Sequence, residues 1–270
     1  MSINLHGQLL DLSSPKVMAI VNVSPDSFYT SWGQAGECEL LEKVQQAISE
    51  GADLLDIGAC STRPGGMLVD EATEWQRLQP VLHTIHRHFP HAVLSVDTFR
   101  AEIASRALDM GADMINDVSG GGDDMWRVIA DRHVPYVLTH SRELSSSALG
   151  YDATMSEVIG FLQERLDLLH RMGVADVVVD PGFGFGKNVQ QNYSLLSQLE
   201  VISALHAPVL VGVSRKSMLY KPLGKTPSDV LPATVAANMV ALQQGANILR
   251  VHDVAAAKQA IQIFQLTQKS

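Results

Sequence analysis

The sequence predicts a single α/β domain over residues 1–270 with the fold of a (β/α)8 TIM barrel, and three observations favour this fold. Eight short apolar runs alternate with eight longer stretches of helical character. Each run ends at or near a polar residue, and successive polar residues lie 19 to 41 positions apart, which is room for a helix and two loops. No linker, charge run or low-complexity tract marks a second domain.

The eight runs are rich in Val, Ile and Leu and mostly do not alternate with polar residues, as is typical of parallel strands buried on both faces. They cover residues 17–23, 54–57, 92–96, 114–115, 136–138, 177–179, 209–213 and 248–251. The polar residues within or just after them are Asn22, Asp56, Asp97, Asn116, His140, Asp180, Ser214 and His252. An open doubly wound sheet is the alternative, but it would more naturally carry a glycine fingerprint after the first strand, and none is present.

Helices are predicted between the strands, and glycine follows several of them where a helix C-cap glycine belongs. The predicted helices cover about residues 38–50, 71–88, 100–110, 123–132, 154–172, 190–205, 233–244 and 254–267. Residues 3–12 are expected to form a short hairpin that closes the bottom of the barrel. Residues 141–153 are expected to form a mobile loop.

Composition excludes several classes of protein. The chain is 46% apolar and 18% charged with two cysteines, which argues against general disorder, a disulfide framework or a zinc site. A net charge of −9 argues against a broad nucleic-acid surface, although a local anion site needs only a few cations. No apolar run approaches the roughly 20 residues of a membrane span, and no export signal is recognisable. We therefore expect a cytoplasmic protein without nucleic-acid or membrane partners.

The strand-end residues predict the location of the chemistry, because in a (β/α)8 barrel these ends meet at one mouth. Asp97, Asn116 and Asp180 end the third, fourth and sixth strands. Two carboxylates and a carboxamide could bind the edge of a heterocycle that carries N–H groups and ring nitrogens. The alternative for any one of them is a helix cap or a loop contact.

A local anion site is predicted from cations near the same mouth. Arg63 lies in the loop after the second strand, Lys216 follows the seventh, and Arg250 and His252 share one side of the eighth. Barrels commonly bind phosphate groups beside their last two strands. The alternative for Arg250 is a structural pairing with a carboxylate, and Arg215 need not face the same way as Lys216.

Two further features have open interpretations. The segment Asp180-Pro-Gly-Phe-Gly-Phe-Gly-Lys187 looks like a phosphate loop but matches neither established phosphate-binding pattern. Its glycines allow close backbone approach to a ligand, while Phe183 and Phe185 serve as apolar walls or as core. Asn22 is a weak metal ligand that would serve Mg²⁺ only with a diphosphate and water in the other positions, and a loop contact is its alternative.

Together these segments resemble the dihydropteroate synthase family along nearly the whole chain. The resemblance rests on seven motifs in the family's order: Asn22-Val-Ser-Pro-Asp-Ser-Phe28, Ser61-Thr-Arg-Pro-Gly65, Ser95-Val-Asp-Thr98, Ile115-Asn-Asp117, Asp180-Pro-Gly-Phe-Gly-Phe-Gly-Lys187, Ser214-Arg-Lys-Ser217 and Arg250-Val-His-Asp253. It implies an enzyme of folate biosynthesis, the target of sulfonamide drugs, that joins (7,8-dihydropterin-6-yl)methyl diphosphate to 4-aminobenzoate. It also implies a homodimer and a Mg²⁺ cofactor.

The resemblance further implies a role for each matching residue. The pterin would be held by Asp97, Asn116, Asp180 and Lys216. The diphosphate would be held by Asn22, Arg63, Arg250 and His252, with Asn22 also contacting Mg²⁺. The 4-aminobenzoate site would be shaped by Thr62, Phe185, Lys216 and Ser217. The catalytic residues among them would be Asp97, Asp180, Lys216 and Arg63.

Three departures from the family pattern and three alternative functions accompany this hypothesis. The departures are Tyr29–Gly33 in place of a Gly-Gly loop, Ala59-Cys60 in place of Gly-Glu, and Thr139-His140-Ser141 in place of Met-His-Met. The first alternative is a pterin-binding methyltransferase that serves a corrinoid, which needs no diphosphate cations. The others are a Schiff-base aldolase that uses Lys216 or Lys187, and a pterin-binding protein without turnover.

Overall fold

The computed structural model describes residues 1–23, 34–60, 69–141 and 151–268, and these form a closed barrel of eight parallel strands. A hairpin of β1 (Ser2–Leu5) and β2 (Gln8–Asp11) precedes the barrel. The barrel strands are β3 (Lys16–Asn22), β4 (Leu54–Gly58), β5 (Leu94–Asp97), β6 (Met114–Asp117), β7 (Tyr136–Thr139), β8 (Val177–Asp180), β9 (Leu210–Val211) and β10 (Ile248–Val251). Their order is β8-β7-β6-β5-β4-β3-β10-β9, and a bridge between Val179 and Val209 closes the ring. The prediction of a (β/α)8 barrel is confirmed.

The helices lie between the strands as the pattern predicts. They are α1 (Gln34–Ser49), α2 (Glu71–His88), α3 (Ala101–Asp109), α4 (Asp123–Arg132), α5 (Tyr151–Arg171), α6 (Val189–Ser197), α7 (Ser217–Tyr220), α8 (Leu231–Gln243) and α9 (Val254–Gln268). None of the described helices combines the length and the apolar character that crossing a membrane requires.

The helices differ from the prediction in several places. The stretch expected as one helix over 190–205 is α6 followed by a 3₁₀ helix, Leu199–Leu205. The one-turn helix α7 was not predicted, because four residues are too few for a periodic pattern. Helix α5 begins at Tyr151, inside the segment expected to be a mobile loop, while residues 142–150 lie outside the described part of the chain.

The alternation of side chains along each strand separates two cores. Residues on one side, such as Val17, Ala19 and Val21, pack outward against the helices. On the other side, the lower part of the barrel interior is apolar, and its strand residues are Met18, Leu54, Met114, Val137, Val178, Leu210 and Ile248. Two residues further along several strands the interior becomes polar, as at Asp56 and Arg250. The barrel interior is therefore apolar in its lower part and polar in its upper part, where a polar ligand can bind.

The hairpin covers the bottom of the barrel, as predicted. Its two-residue turn uses His6 at φ 48° and Gly7 at φ 90°, the left-handed pair that suits a tight hairpin. Ile3, Leu5 and Leu12 are buried and belong to the same cluster as the lower barrel interior. Burial of these side chains keeps water out of the bottom layer, so the barrel opens at the opposite end.

Candidate active site

The mouth of the barrel brings the predicted polar residues together because the strands are in parallel register. Asn22 aligns with Gly58, Gly58 with Asp97, and Asp97 with Asn116. Asp180 stands at the end of β8, in register with Thr139 of β7. Asp97 and Asn116 thus lie at one level of the barrel, Asp180 ends a third strand at the same mouth, and all three residues are buried.

A buried carboxylate one layer below, Asp56, organises this level. It is fully buried and accepts hydrogen bonds from Ser95 Oγ at 2.6 Å, Asn116 Nδ2 at 2.9 Å and Arg250 Nε at 2.6 Å. Because the Asn116 amide donates to Asp56, its acceptor oxygen faces away from Asp56. The sequence marked Asp56 as a strand-end residue but gave it no role. Its register with Ser95 on the neighbouring strand was the available signal.

Asp97 combines an ion pair with an unsatisfied acceptor. Its Oδ2 accepts from Arg250 Nη2 at 2.6 Å, while Oδ1 is buried and has no hydrogen-bond partner among the described residues. Burial raises the pKa of Asp97 to about 7; Arg250 opposes this increase and the nearby Asp56 carboxylate adds to it. A buried acceptor without a partner is costly, so this oxygen suits a ligand N–H.

Asp180 has a similar environment on the opposite side of the mouth. Its Oδ1 accepts from the backbone N–H of Gly182 at 2.7 Å. Burial raises the pKa of Asp180, and the nearby ammonium of Lys216 opposes that increase. Both carboxyl groups are therefore shifted towards their neutral forms by the same cause, removal from water.

Lys216 reaches the mouth from the residue just before α7. Its ammonium donates to the Phe183 carbonyl oxygen at 2.5 Å and lies 4.5 Å from the centre of the Phe185 ring. Ser217 is the first residue of α7, directly beside it. Arg215 forms two hydrogen bonds with Asp253, at 3.0 and 2.6 Å. Arg215 therefore faces Asp253 and does not share the direction of Lys216, a possibility that the sequence left open.

Arg250 lies between two buried carboxylates. It contacts Asp56 and Asp97 at the same time and, although burial opposes the effect, these carboxylates raise the pKa of Arg250. The carboxylate pairing that the sequence raised as an alternative for Arg250 is therefore present. His252 Nδ1 lies 3.0 Å from Ser214 Oγ on the neighbouring segment.

Other residues singled out from the sequence are distributed as follows. Thr62 and Arg63 lie outside the described residues, as do residues 29–33. Cys60 is buried at the upper end of β4. Thr139 is fully buried, and its hydroxyl oxygen has no hydrogen-bond partner among the described residues. The side chain of Thr139 therefore adds a second unsatisfied polar atom to the barrel interior.

The fold and the mouth together define a class: a (β/α)8-barrel enzyme whose buried carboxylates, carboxamide and lysine suit a nitrogen heterocycle. The family model described as pterin binding enzyme matches residues 18–252. The dihydropteroate synthase of Escherichia coli K12 is 36% identical over 273 aligned residues, 99% of this chain and 96% of that protein.

Solved structures of dihydropteroate synthases share the fold of this chain. Yersinia pestis dihydropteroate synthase in complex with a sulfonamide drug has a TM-score of 0.91 at 36% identity, with 100% of both chains covered. Xanthomonas albilineans dihydropteroate synthase with 4-aminobenzoic acid has a TM-score of 0.90 at 38% identity, covering 100% of this chain and 98% of that one. The chain belongs to the pterin-binding enzymes and, among them, to the dihydropteroate synthase family.

Proposed function

We propose that this barrel transfers the pterinylmethyl group of (7,8-dihydropterin-6-yl)methyl diphosphate to the amine of 4-aminobenzoate, giving 7,8-dihydropteroate and diphosphate. The observation that carries the proposal is the meeting of Asp97, Asn116, Asp180 and Lys216 at one mouth, in a chain that belongs to the dihydropteroate synthase family. The enzyme is a transferase of folate biosynthesis.

The pterin is bound by complementary hydrogen bonds. Asp97 Oδ1 and Asp180 supply acceptors for the N–H groups of the ring, and the amide oxygen of Asn116 supplies another. Lys216 supplies a donor from the side of the glycine-rich loop. Because these groups are already buried and fixed by their neighbours, binding requires little reorganisation of the protein.

The reaction breaks the C–O bond between the pterin methylene and the diphosphate. The bonding electrons leave with the diphosphate, so positive charge builds on the methylene until the amine nitrogen of 4-aminobenzoate bonds to it and then loses a proton. Asp97 and Asp180, when ionised, stabilise that positive charge from fixed positions. Phe185 and Ser217 lie beside Lys216 and are proposed to contact 4-aminobenzoate together with Thr62.

The leaving diphosphate is proposed to be held by Asn22, Arg63, Arg250 and His252. In the described part of the chain, no group of three or more His, Cys, Asp or Glu side chains could hold a metal ion. Among the described residues, the Asn22 carboxamide would hold a Mg²⁺ ion as the sequence predicts, provided that diphosphate oxygens and water supply further ligands. When bound, Mg²⁺ would neutralise charge on the departing diphosphate.

The deciding experiment is a coupled assay for diphosphate release, with and without 4-aminobenzoate. Release that depends on 4-aminobenzoate, with formation of dihydropteroate, is the expected result. Tight pterin binding without release would instead support a binding protein, and methyl transfer from methyltetrahydrofolate would support the methyltransferase.

Lys187 is buried and contacts His140 at 2.8 Å, which disfavours it as the Schiff-base lysine of an aldolase. Borohydride trapping at Lys216 would test the remaining aldolase candidate.

Two further properties are proposed: a homodimer and a cytoplasmic location. Helix α8 contains no charged residue and exposes Ala236 and Val240, four positions apart on one face, and the adjacent α9 exposes Ile263 and Leu266, three positions apart. An exposed apolar face of this kind suits contact with a second copy of the chain. Sedimentation should show a dimer that Val240→Glu weakens, with Lys225→Glu as the control. Fractionation of cells tests the location.

A further inference from the structure

The loop between β8 and α6 surrounds a buried ammonium. Lys187 is 5% exposed, and its Nζ lies 2.8 Å from His140 Nδ1 and 2.9 Å from the Gly182 carbonyl oxygen. The carbonyl oxygens of His140 and Phe185 lie at 3.3 and 3.4 Å. An ammonium only donates, so His140 Nδ1 accepts and the imidazole proton lies on Nε2. We refer to Lys187, His140, Gly182 and Phe185 as the Lys187 cluster.

The backbone of this loop is built to fit around the cluster. Gly182, Gly184 and Gly186 all have positive φ, at 73°, 81° and 65°. A Cβ on Gly182 would lie 1.8 Å from the His140 carbonyl oxygen, so no other residue fits there without a shift of backbone. The N–H of Gly184 donates to Asn192 Oδ1 at 2.7 Å. The path of the loop is therefore held from α6 and from the Lys187 cluster.

The same loop contacts a second ammonium on its other side. While the carbonyl groups of Gly182 and Phe185 face Lys187, the carbonyl of Phe183, between them, accepts from Lys216 at 2.5 Å. The Phe185 ring lies 4.5 Å from Lys216 Nζ. Carbonyl groups of one short segment thus accept from two lysines: from the buried Lys187 and from Lys216 at the mouth.

We propose that Lys187 is a positioning residue for Lys216. Its ammonium gathers the carbonyl groups of the loop and thereby presents the Phe183 carbonyl and the Phe185 ring to Lys216 at the mouth. Without that ammonium, the buried carbonyl groups of Gly182 and Phe185 lose a donor and the loop must rearrange. Lys216 then loses two of the groups that hold its ammonium at the mouth.

A double-mutant cycle tests the consequence for catalysis, which rests on the proposed function. We expect Lys187→Met to lower kcat/KM for 4-aminobenzoate about tenfold or more, and to cost less than about twofold when Lys216→Met is already present. The exposed Lys225→Met is the matched control and should leave both backgrounds unchanged. An equal loss in both backgrounds, or no loss in the wild-type background, would overturn the proposal.

A second measurement does not depend on the reaction. Acetylation of Lys216 by acetic anhydride, followed by mass spectrometry with Lys225 as internal reference, reports how firmly the Lys216 ammonium is held. We expect about threefold faster acetylation of Lys216 in Lys187→Met, because loss of the hydrogen bond to Phe183 favours the neutral amine that reacts. An unchanged rate would refute the positioning role even if the enzyme has another substrate.

A pair of His140 variants covers the case in which Lys187→Met does not fold. His140→Asn keeps an acceptor near the position of Nδ1, whereas His140→Leu removes it. Faster acetylation of Lys216 in His140→Leu than in His140→Asn is the expected result. Equal rates in the two variants would mean that the Lys187 cluster does not control Lys216.

Discussion

At the scale of single residues, burial affects the pKa of Asp97 more strongly than its ion pair with Arg250 does. Asp97 lies 2.6 Å from a guanidinium nitrogen of Arg250, an arrangement that by itself lowers a carboxyl pKa. Burial nevertheless raises the pKa of Asp97 to about 7, helped by the neighbouring Asp56 carboxylate. Arg250 serves two carboxylates at once, so neither of them gains the full effect of the ion pair.

The first prediction concerns the pH dependence of Asp97. Since its pKa in the folded protein exceeds the value of about 4 in the unfolded chain, its contribution to the free energy of unfolding is fully present below about pH 4 and is lost as pH rises through 7. Its ionised form, which is proposed to stabilise the methylene cation, appears over the upper part of that range. The kcat/KM of the free enzyme should therefore rise through pH 7.

Asp97→Asn tests this prediction because it keeps the shape and removes the charge. We expect a loss mainly in kcat and disappearance of the rise through pH 7, while Asp180→Asn should lower kcat but retain that rise. Rate profiles of the three proteins between pH 5 and 9 provide the measurement. An unchanged kcat with an effect confined to KM would contradict the proposed role of these carboxylates.

The second prediction concerns Lys216. Lys216→Ala removes a charged hydrogen bond worth about 1.5–3 kcal/mol of binding free energy, and more where the bond tightens in the transition state. Lys216→Arg should also be impaired, because a planar guanidinium cannot replace a compact ammonium beside the Phe183 carbonyl. Steady-state kinetics with both substrates measure the loss, and the exposed Lys221→Ala is the control. Near-normal turnover by Lys216→Ala would exclude the role.

At the scale of the element, the loop between β8 and α6 shows why glycine spacing alone is ambiguous. In sequence this loop looks like a phosphate loop, because its glycines allow the backbone to approach a ligand closely. In the structure the close approach of Gly182 is to the carbonyl of His140, which directly follows β7, and Gly184 approaches the side chain of Lys216. Phe183 is fully buried as core, while Phe185 is half-buried beside Lys216.

The third prediction compares two glycines with similar backbone geometry. Gly173 has φ 86° and nothing within 4 Å of an added Cβ, so Gly173→Ala should cost only the left-handed conformation, about 1–2 kcal/mol of unfolding free energy. Gly182→Ala adds a backbone clash to the same strain and should cost more, with a further loss of kcat/KM. Denaturant unfolding measures the free energy of unfolding of both variants, and steady-state kinetics measure their kcat/KM. Equal costs would show that the loop shifts freely.

At the scale of the whole molecule, the closed barrel gathers groups from distant parts of the chain onto one rim. Asp56 and Arg250 are 194 residues apart in sequence and 2.6 Å apart in space. Strand β3 brings these two residues together because it pairs with both β4 and β10, and closure of the ring between β8 and β9 places the remaining strand ends on the same rim. The hairpin seals the lower end, so substrates enter from the side on which the carboxylates lie.

The fourth prediction concerns the order of substrate binding. Thr62 and Arg63 are adjacent in the sequence, in the segment that follows β4, and the proposed diphosphate site draws on Arg63, Asn22 and Arg250. Bound diphosphate and Mg²⁺ should therefore complete the 4-aminobenzoate pocket through the segment that carries Thr62. Calorimetric titration should show negligible binding of 4-aminobenzoate to the free enzyme and measurable binding once a pterin, diphosphate and Mg²⁺ are present. Equal affinity in both conditions would mean that the pocket is preformed.

The sequence by itself determined the barrel, because buried parallel strands leave a local signal that repeats with every unit. Runs of Val, Ile and Leu, polar residues at strand ends and glycines after helices were sufficient to predict the strands and most helix boundaries within a few residues. The candidate residues Asp97, Asn116, Asp180 and Lys216 followed from the same logic, since the fold places all strand ends at one rim.

Only the tertiary structure decided how those residues interact. The three hydrogen bonds to Asp56, the position of Arg250 between two carboxylates and the enclosure of Lys187 join residues from different strands, so no local spacing contains them. The raised pKa of Asp97 likewise depends on burial by the assembled barrel. Local sequence specifies which elements form, whereas distances between side chains and their removal from water exist only after the ring has closed.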